Sequence, residues 1–321
     1  MKTGTQDTIN VVFASDSNYA QHATVAMTSI LLKTAEPQRV VFYLLDDAIA
    51  EDIKAKMLQT VAKLGSQLHF VAVDSQNFDK FYVSAQLSRT AYFRLEMAEL
   101  LPNTVDKVIY LDCDLLVLGD IAQLWDYPME GKALGAVPDL GIMTSRRTWL
   151  SKQAILTLTP EDQYFNSGVL VVDLHQWRQQ KLGQVVEQLA AAHNYPHHDQ
   201  DALNQVFYGN WQPLPLWWNV IPPVWQLFSK ILRHSKYRPL AVEAKAKMAV
   251  LHYAGGYKPW EYKLYQEFNS YYYQCLAYTE FAQVQMPQFD QRKRHRSITR
   301  QLWRIRVANW WQRFLQKKVQ E

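Results

Sequence analysis

The sequence predicts an α/β protein whose first half is built from βαβ units. Short apolar runs that each stop at Asp or Ser mark strands, and the segments between them carry helical periodicity. Ile9-Asn-Val-Val-Phe-Ala14 stops at Ser15-Asp16-Ser17-Asn18, a turn and helix-cap cluster. A helix from about Gln21 to Lys33 follows, with Val25, Ile30 and Leu31 among its apolar positions. Val40-Val-Phe-Tyr-Leu-Leu45 is a second strand, closing on Asp46-Asp47. Residues 51–64 then set Ile53, Met57, Val61 and Leu64 on one helical face. Leu68-His-Phe-Val-Ala-Val73 is a third strand, ending at Asp74. Strand and helix alternating in this way predict a parallel sheet covered by helices on both faces, with the ligand crevice beyond the carboxyl ends of the strands.

Composition narrows the class. The 321 residues, 48% hydrophobic and 20% charged, suffice for one large domain or two modest ones of an ordinary soluble protein. No apolar run reaches the roughly 18 residues of a membrane span, and Met1-Lys-Thr-Gly-Thr-Gln-Asp7 lacks a signal peptide's apolar stretch. Two cysteines, Cys113 and Cys275, make neither a disulfide framework nor a cysteine-rich zinc site, so a reduced cytoplasmic compartment is expected.

The net charge of +4 conceals an asymmetry. Residues 291–320 hold ten Lys and Arg and no acid, whereas the chain without 291–321 has 24 basic and 29 acidic residues. In that tail Trp303, Val307, Trp310 and Phe314 recur at helical spacing, flanked by Arg300, Arg304, Arg306, Arg313 and Lys317. Apolar aromatics bordered by cations suit a helix lying on an anionic bilayer; a solvated helix packed on the body is the plainer alternative. The acidic body and the lack of a nucleic-acid motif disfavour nucleic acid as partner.

No G-x-G-x-x-G follows the first strand and no G-x-x-x-x-G-K-[ST] occurs, which removes most of the case for a dinucleotide-binding or P-loop enzyme. Instead Val108-Ile-Tyr-Leu111 runs into Asp112-Cys113-Asp114. In an extended chain residues i and i+2 share a side, so both carboxylates face one point, as a hard divalent cation holding a diphosphate requires. Spacing alone is weak, since Asp199-Gln200-Asp201 has it too, and capping or surface aspartates are the plainer reading. A second apolar run, Ala249-Val-Leu-His252, leads into Gly255, Gly256 and Lys258, with glycines for close approach to an anion and a cation for its charge. His252 would complete a metal shell with Asp112 and Asp114, a set that suits Mn²⁺. Tyr164-Phe-Asn166-Ser-Gly168 opens a further strand, where Asn166 faces a hydroxyl.

Six segments in order, Val12–Tyr19, Ala91–Leu95, Val108–Leu118, Tyr164–Val172, Asp199–Asp201 and His252–Trp260, resemble glycosyltransferase family 8, especially the bacterial lipopolysaccharide α-galactosyl- and α-glucosyltransferases. The resemblance implies a GT-A fold, a Rossmann-like nucleotide-binding half merged with an acceptor-binding half, over residues 1–260. A helical extension over 261–290 and the basic membrane-associating tail over 291–321 follow. It implies that Ala14, Asp16, Asn18 and Tyr19 hold uridine, with Tyr19 stacking, and that Cys113, Gly255 and Lys258 also contact the nucleotide. Asp112, Asp114 and His252 become ligands of Mn²⁺, with Mg²⁺ as the alternative. Arg94, Asp112, Asn166, Ser167, Asp199 and Gln200 surround the donor sugar. Gln200 is the catalytic amide, and Asp201 is the candidate nucleophile if a covalent intermediate forms. The implied activity is retaining transfer of a hexose, galactose favoured over glucose, from a UDP-sugar to a lipid-linked saccharide at the cytoplasmic face of the membrane. A catalytically silent sugar-nucleotide-binding protein is the alternative from another class. On the acceptor side, Gln86, Ala254 and the tryptophan-rich segment 211–228 depart from the family pattern.

Overall fold

The computed structural model describes residues 7–78, 89–225, 235–256, 258–261 and 266–283. Gln86 and the tail 291–321 lie outside the described residues. Seven strands form one sheet: β1 (Ile9–Asp16), β2 (Val40–Asp47), β3 (Gln67–Ala72), β4 (Lys107–Leu111), β6 (Leu134–Pro138), β7 (Phe165–Asp173) and β8 (Gln212–Pro213). Their order is β3-β2-β1-β4-β7-β6-β8, while β5 (Leu115–Val117) and β9 (Val250–His252) make a separate antiparallel ribbon. The helices that matter here are α1 (Ala20–Leu31), α2 (Glu51–Lys63), α3 (Arg146–Leu156), α4 (Leu182–Ala192), α5 (His198–Val206) and α6 (Gln266–Leu276).

The opening β1-α1-β2-α2-β3 run matches the sequence expectation, with parallel pairing throughout. The expectation of a parallel sheet needs one correction: β7 is antiparallel to both β4 and β6. Its amino end, Phe165–Gly168, therefore reaches the side of the sheet where β1 and β4 have their carboxyl ends. β6 escaped notice in the sequence because Gly135 and Pro138 interrupt its apolar run.

The strands are apolar on both faces because both are covered. Val12, Val108, Tyr110, Leu170 and Val172 join one core cluster, and their neighbours Val11, Phe13, Ile109, Leu111, Val169 and Val171 join the other. Met27, Ile30, Met57 and Val61 of α1 and α2 fill the second cluster. Most of the tryptophan-rich segment is core: Trp211, Trp218 and Trp225 are buried, with Trp211 5.0 Å from Phe165 and Trp225 5.0 Å from Phe268. The short helical turn Arg89–Leu95 backs the sheet and is held by α4.

That contact is close. A Cβ on Gly183 of α4 would collide with the Leu95 carbonyl and lie 3.0 Å from Trp177 Nε1. Backbone cannot swing aside as a side chain does, so Gly183→Ala is expected to cost about 1–3 kcal/mol of stability, measured by urea unfolding.

Candidate active site

The strand order reverses between β1 and β4, which pair directly, and the crevice beyond their carboxyl ends holds the candidate site. Asp112, Cys113 and Asp114 occupy the turn between β4 and β5, not extended strand. The two carboxylates therefore converge because the chain bends, a correction to the i, i+2 argument. The ribbon supplies the third group: Leu115 pairs with His252, and Tyr253 N–H donates to the Asp114 carbonyl at 2.8 Å. His252 Nε2 lies 3.0 Å from Asp114 Oδ1 and 3.9 Å from Asp112 Oδ2. One ligand atom from each of the three residues falls within 4.8 Å of the others.

Asn219 orients this histidine. Its Nδ2 donates to Asn166 Oδ1 at 2.8 Å, which turns its own Oδ1 towards His252 Nδ1, also at 2.8 Å. With Nδ1 committed to that amide, Nε2 is the ring nitrogen left for the carboxylates or for a cation held between them. Asn166 in turn accepts from Gly168 N–H at 2.9 Å and donates to Asp139 Oδ2 at 3.1 Å.

The buried acids are matched unevenly by cations. Arg94, 4% exposed, places Nη2 3.1 Å from Asp112 Oδ1 and Nε 3.2 Å from Asp199 Oδ2, while Nη1 donates to the Ser167 carbonyl at 2.6 Å. Its guanidinium also lies 4.5 Å over the Tyr110 ring. Burial opposes its charge, but Asp112 and Asp199 outweigh that and raise its pKa. Burial pushes Asp199 up to about 6, with Arg94 pulling it back and Asp112 adding to the rise. For Asp114, too, burial favours the neutral acid, yet Lys258 and His252 together hold the carboxyl well below its usual range. Lys258 Nζ bonds Asp114 Oδ2 and donates to the Tyr253 carbonyl at 2.9 Å, so the lysine expected on a diphosphate rests against the acidic pair.

Helix α5 distributes three consecutive residues to three destinations, because successive helical positions are roughly 100° apart. Asp199 meets Arg94. Gln200 Oε1 accepts from Ser167 N–H at 3.1 Å, and its Nε2 donates to Tyr164 Oη at 3.2 Å and Asp139 Oδ2 at 3.3 Å. Asp201 turns inward, 0% exposed, which corrects its candidacy as a nucleophile. Its Oδ1 accepts from Tyr164 O–H at 2.7 Å, and its Oδ2 accepts from Lys152 Nζ and from His197 N–H at 2.9 Å. A carboxylate with both oxygens so engaged has no free face for an anomeric carbon. His198, opening α5, has φ of 47°, left-handed backbone that non-glycine residues rarely adopt.

The residues expected from the sequence to meet a nucleotide line the rim at the end of β1. Asp16 Oδ1 accepts from Asn18 N–H at 3.0 Å and Tyr19 N–H at 2.9 Å, shaping the turn into α1. Tyr19 is exposed, with its ring edge-on to Trp260 at 6.1 Å; Trp260 stacks on His22 at 3.6 Å. The Cys113 thiol donates to the Ala14 carbonyl at 3.2 Å, and burial beside two carboxylates pushes its pKa well up, so the thiol stays neutral. Gly255, with φ of 89°, turns the chain from β9 towards Lys258.

The arrangement fits a divalent cation. Its donors are two hard carboxylates and one imidazole. Five buried or half-buried acids (Asp112, Asp114, Asp139, Asp199, Asp201) meet three cations (Arg94, Lys152, Lys258), an excess of negative charge that a divalent cation would offset. Room for it depends on Gly168, where a Cβ would collide with His252 Cε1 and stand 2.7 Å from Asp112 Oδ2. Sequence reasoning missed Asn219, Asp139, Tyr164 as a hydroxyl, and Lys152; of these Tyr164 alone sits in a segment that the sequence singles out. Asn219→Ala is expected to weaken divalent-cation binding by about 10–100-fold, read by calorimetric titration with Mn²⁺, because His252 loses its orienting partner.

Comparison with known proteins agrees with this geometry. Residues 10–263 match Glycosyl transferase family 8. General stress protein A of Bacillus subtilis is 28% identical over 88% of this chain and 98% of its own length. The lipopolysaccharide 1,2-glucosyltransferase of Escherichia coli K12 is 31% identical over 80% of this chain and 74% of its own. Among solved structures, the galactosyltransferase LgtC bound to donor and acceptor sugar analogues superposes with a TM-score of 0.72 at 28% identity. That match covers 85% of this chain and 96% of LgtC. With its mixed sheet, its crevice and its match over four-fifths of the length, this chain is a member of glycosyltransferase family 8 and has the GT-A fold.

Proposed function

We propose that this chain transfers a hexose, with galactose the first reading, from a UDP-sugar to a glycan acceptor in lipopolysaccharide or other surface-glycan synthesis, with retention of anomeric configuration and with Mn²⁺ as the cation. The observation that carries the reading is the convergence of Asp112, Asp114 and His252 beside the end of β1. When bound, the cation offsets the charge that develops on the departing diphosphate. Lys258, on the same loop as Gly255, supplies a second positive charge at that point. Arg94 fixes Asp112 and Asp199 and, through the Ser167 carbonyl, the start of β7. Gln200 is a neutral amide and a poor nucleophile, and Asp201 is turned away. The residues therefore favour a same-face displacement in which the leaving phosphate takes the acceptor's proton. Glucose is the second reading, favoured by the likeness to the Escherichia coli lipopolysaccharide 1,2-glucosyltransferase.

The basic stretch 291–321 extends the proposal to location: it holds the enzyme on the cytoplasmic face of an anionic membrane, beside a lipid-linked acceptor. No helix among the described residues is long and apolar enough to cross a membrane. Each cation near such a surface contributes about 1 kcal/mol. In vesicle flotation the full chain is expected to rise with anionic lipid while a chain ending at residue 290 stays behind; equal partitioning would remove the membrane reading.

Hydrolysis and transfer assays with UDP-galactose and UDP-glucose, with and without Mn²⁺, test the activity. Cation-dependent turnover of one donor is expected, with Asp114→Asn lowering kcat/KM by about 100-fold or more. Turnover of neither donor would sink the assignment.

A further inference from the structure

We infer that Lys152, Asp201 and Tyr164 are positioning residues that hold the Gln200 side-chain amide in a single orientation; the inference rests on the reading of Gln200 as the amide beside the donor sugar. Gln200 has two ends of similar shape and opposite hydrogen-bonding character, so its environment must specify which end faces Ser167. Ser167 N–H can only donate, and it meets Oε1 at 3.1 Å. Asp139 Oδ2, 3.3 Å from Nε2, accepts. Tyr164 Oη, 3.2 Å from Nε2, is the ambiguous neighbour, because a phenol donates or accepts equally well.

Asp201 removes the ambiguity. Its Oδ1 accepts from Tyr164 O–H at 2.7 Å, which leaves the phenol oxygen only lone pairs to offer Gln200. Lys152 and Asp201, 1% and 0% exposed, form an ion pair inside the protein, and the His197 N–H at 2.9 Å occupies the same carboxylate oxygen as the lysine. The pair lies outside the cleft and has no access to a ligand, yet it fixes the direction of the hydrogen bond that ends on Gln200. A buried ion pair is weak as a source of stability compared with apolar packing. Here its consequence is directional: Lys152 keeps Asp201 an acceptor, Asp201 keeps Tyr164 a donor towards it, and Tyr164 keeps Gln200 Nε2 turned away from Ser167.

The test uses the full chain with ¹⁵N-glutamine labelling, the Gln200 side-chain signals being assigned by their loss in Gln200→Leu. Wild type should show two resolved, slowly exchanging Gln200 amide protons. In Tyr164→Phe, which deletes one oxygen, the proton aimed at residue 164 should move upfield and exchange about tenfold faster. The charge-neutral double variant Lys152→Met/Asp201→Asn, which strands no buried charge, should move the same signal. In turnover, Tyr164→Phe should lower kcat by about 10–100-fold with KM for the donor little changed. Combined with Gln200→Leu it should add no further loss, since both act through one group. Unmoved Gln200 signals in both variants, or losses that multiply in the combination, would overturn the inference. If wild type turned over no UDP-hexose, the proposed activity would fall, while the amide signals would still decide whether these three residues set the orientation.

Discussion

Burying several carboxylates around one point is the constraint from which the rest of the site follows. An ionised acid taken out of water must be paired, hydrogen-bonded or neutralised. Arg94 is the central answer, reaching Asp112, Asp199 and the Ser167 carbonyl from a single side chain. Its position fixes that of the turn Arg89–Leu95, which in turn explains why α4 approaches so closely at Gly183. Lys258 and Lys152 answer for Asp114 and Asp201. The remainder of the negative charge falls on Asp139 and on Asp112 and Asp199, which share one guanidinium.

The same demand links the two halves of the molecule. Hydrogen bonds run without a break from Asp114 through His252, Asn219, Asn166, Asp139, Gln200 and Tyr164 to Asp201 and Lys152. The members come from several elements and loops, with Gln200 and Asp201 sharing one helix, and each link satisfies a group that burial would otherwise penalise. The candidate cation ligands and the proposed catalytic amide therefore belong to one polar network rather than to two sites placed side by side. Substitution of a middle member such as Asn166 acts on both ends at once.

Much of the fold was legible because its signals are local. Predominantly apolar runs gave β1, β2, β3, β4 and β7, and the triplet Asp112-Cys113-Asp114 stood out against the run before it. His252 was legible for the same reason, at the end of its own strand. The reversed direction of β7 was not, since an apolar run carries no sign. Asn219, in Leu-Trp-Trp-Asn, and Lys152, within an otherwise ordinary helix, have no local pattern that marks them; their meaning comes from partners 33 and 49 residues away. Asp201 misled because adjacency in sequence to Gln200 implied adjacency in the cleft, whereas a helix sends neighbours in different directions.

The reversal of β7 has one more effect. Crevices of parallel sheets are furnished by loops, which tolerate exchange and drift readily. Here Asn166, Ser167 and Gly168 belong to the amino end of a strand: Asn166 pairs with Val137 beside the irregularity in β6, and the Gly168 carbonyl accepts from Asp112 N–H at 2.9 Å. This side of the crevice is consequently built from strand as well as from loop. A substitution in that segment would disturb the sheet as well as the crevice, whereas the surrounding loops can vary without doing so.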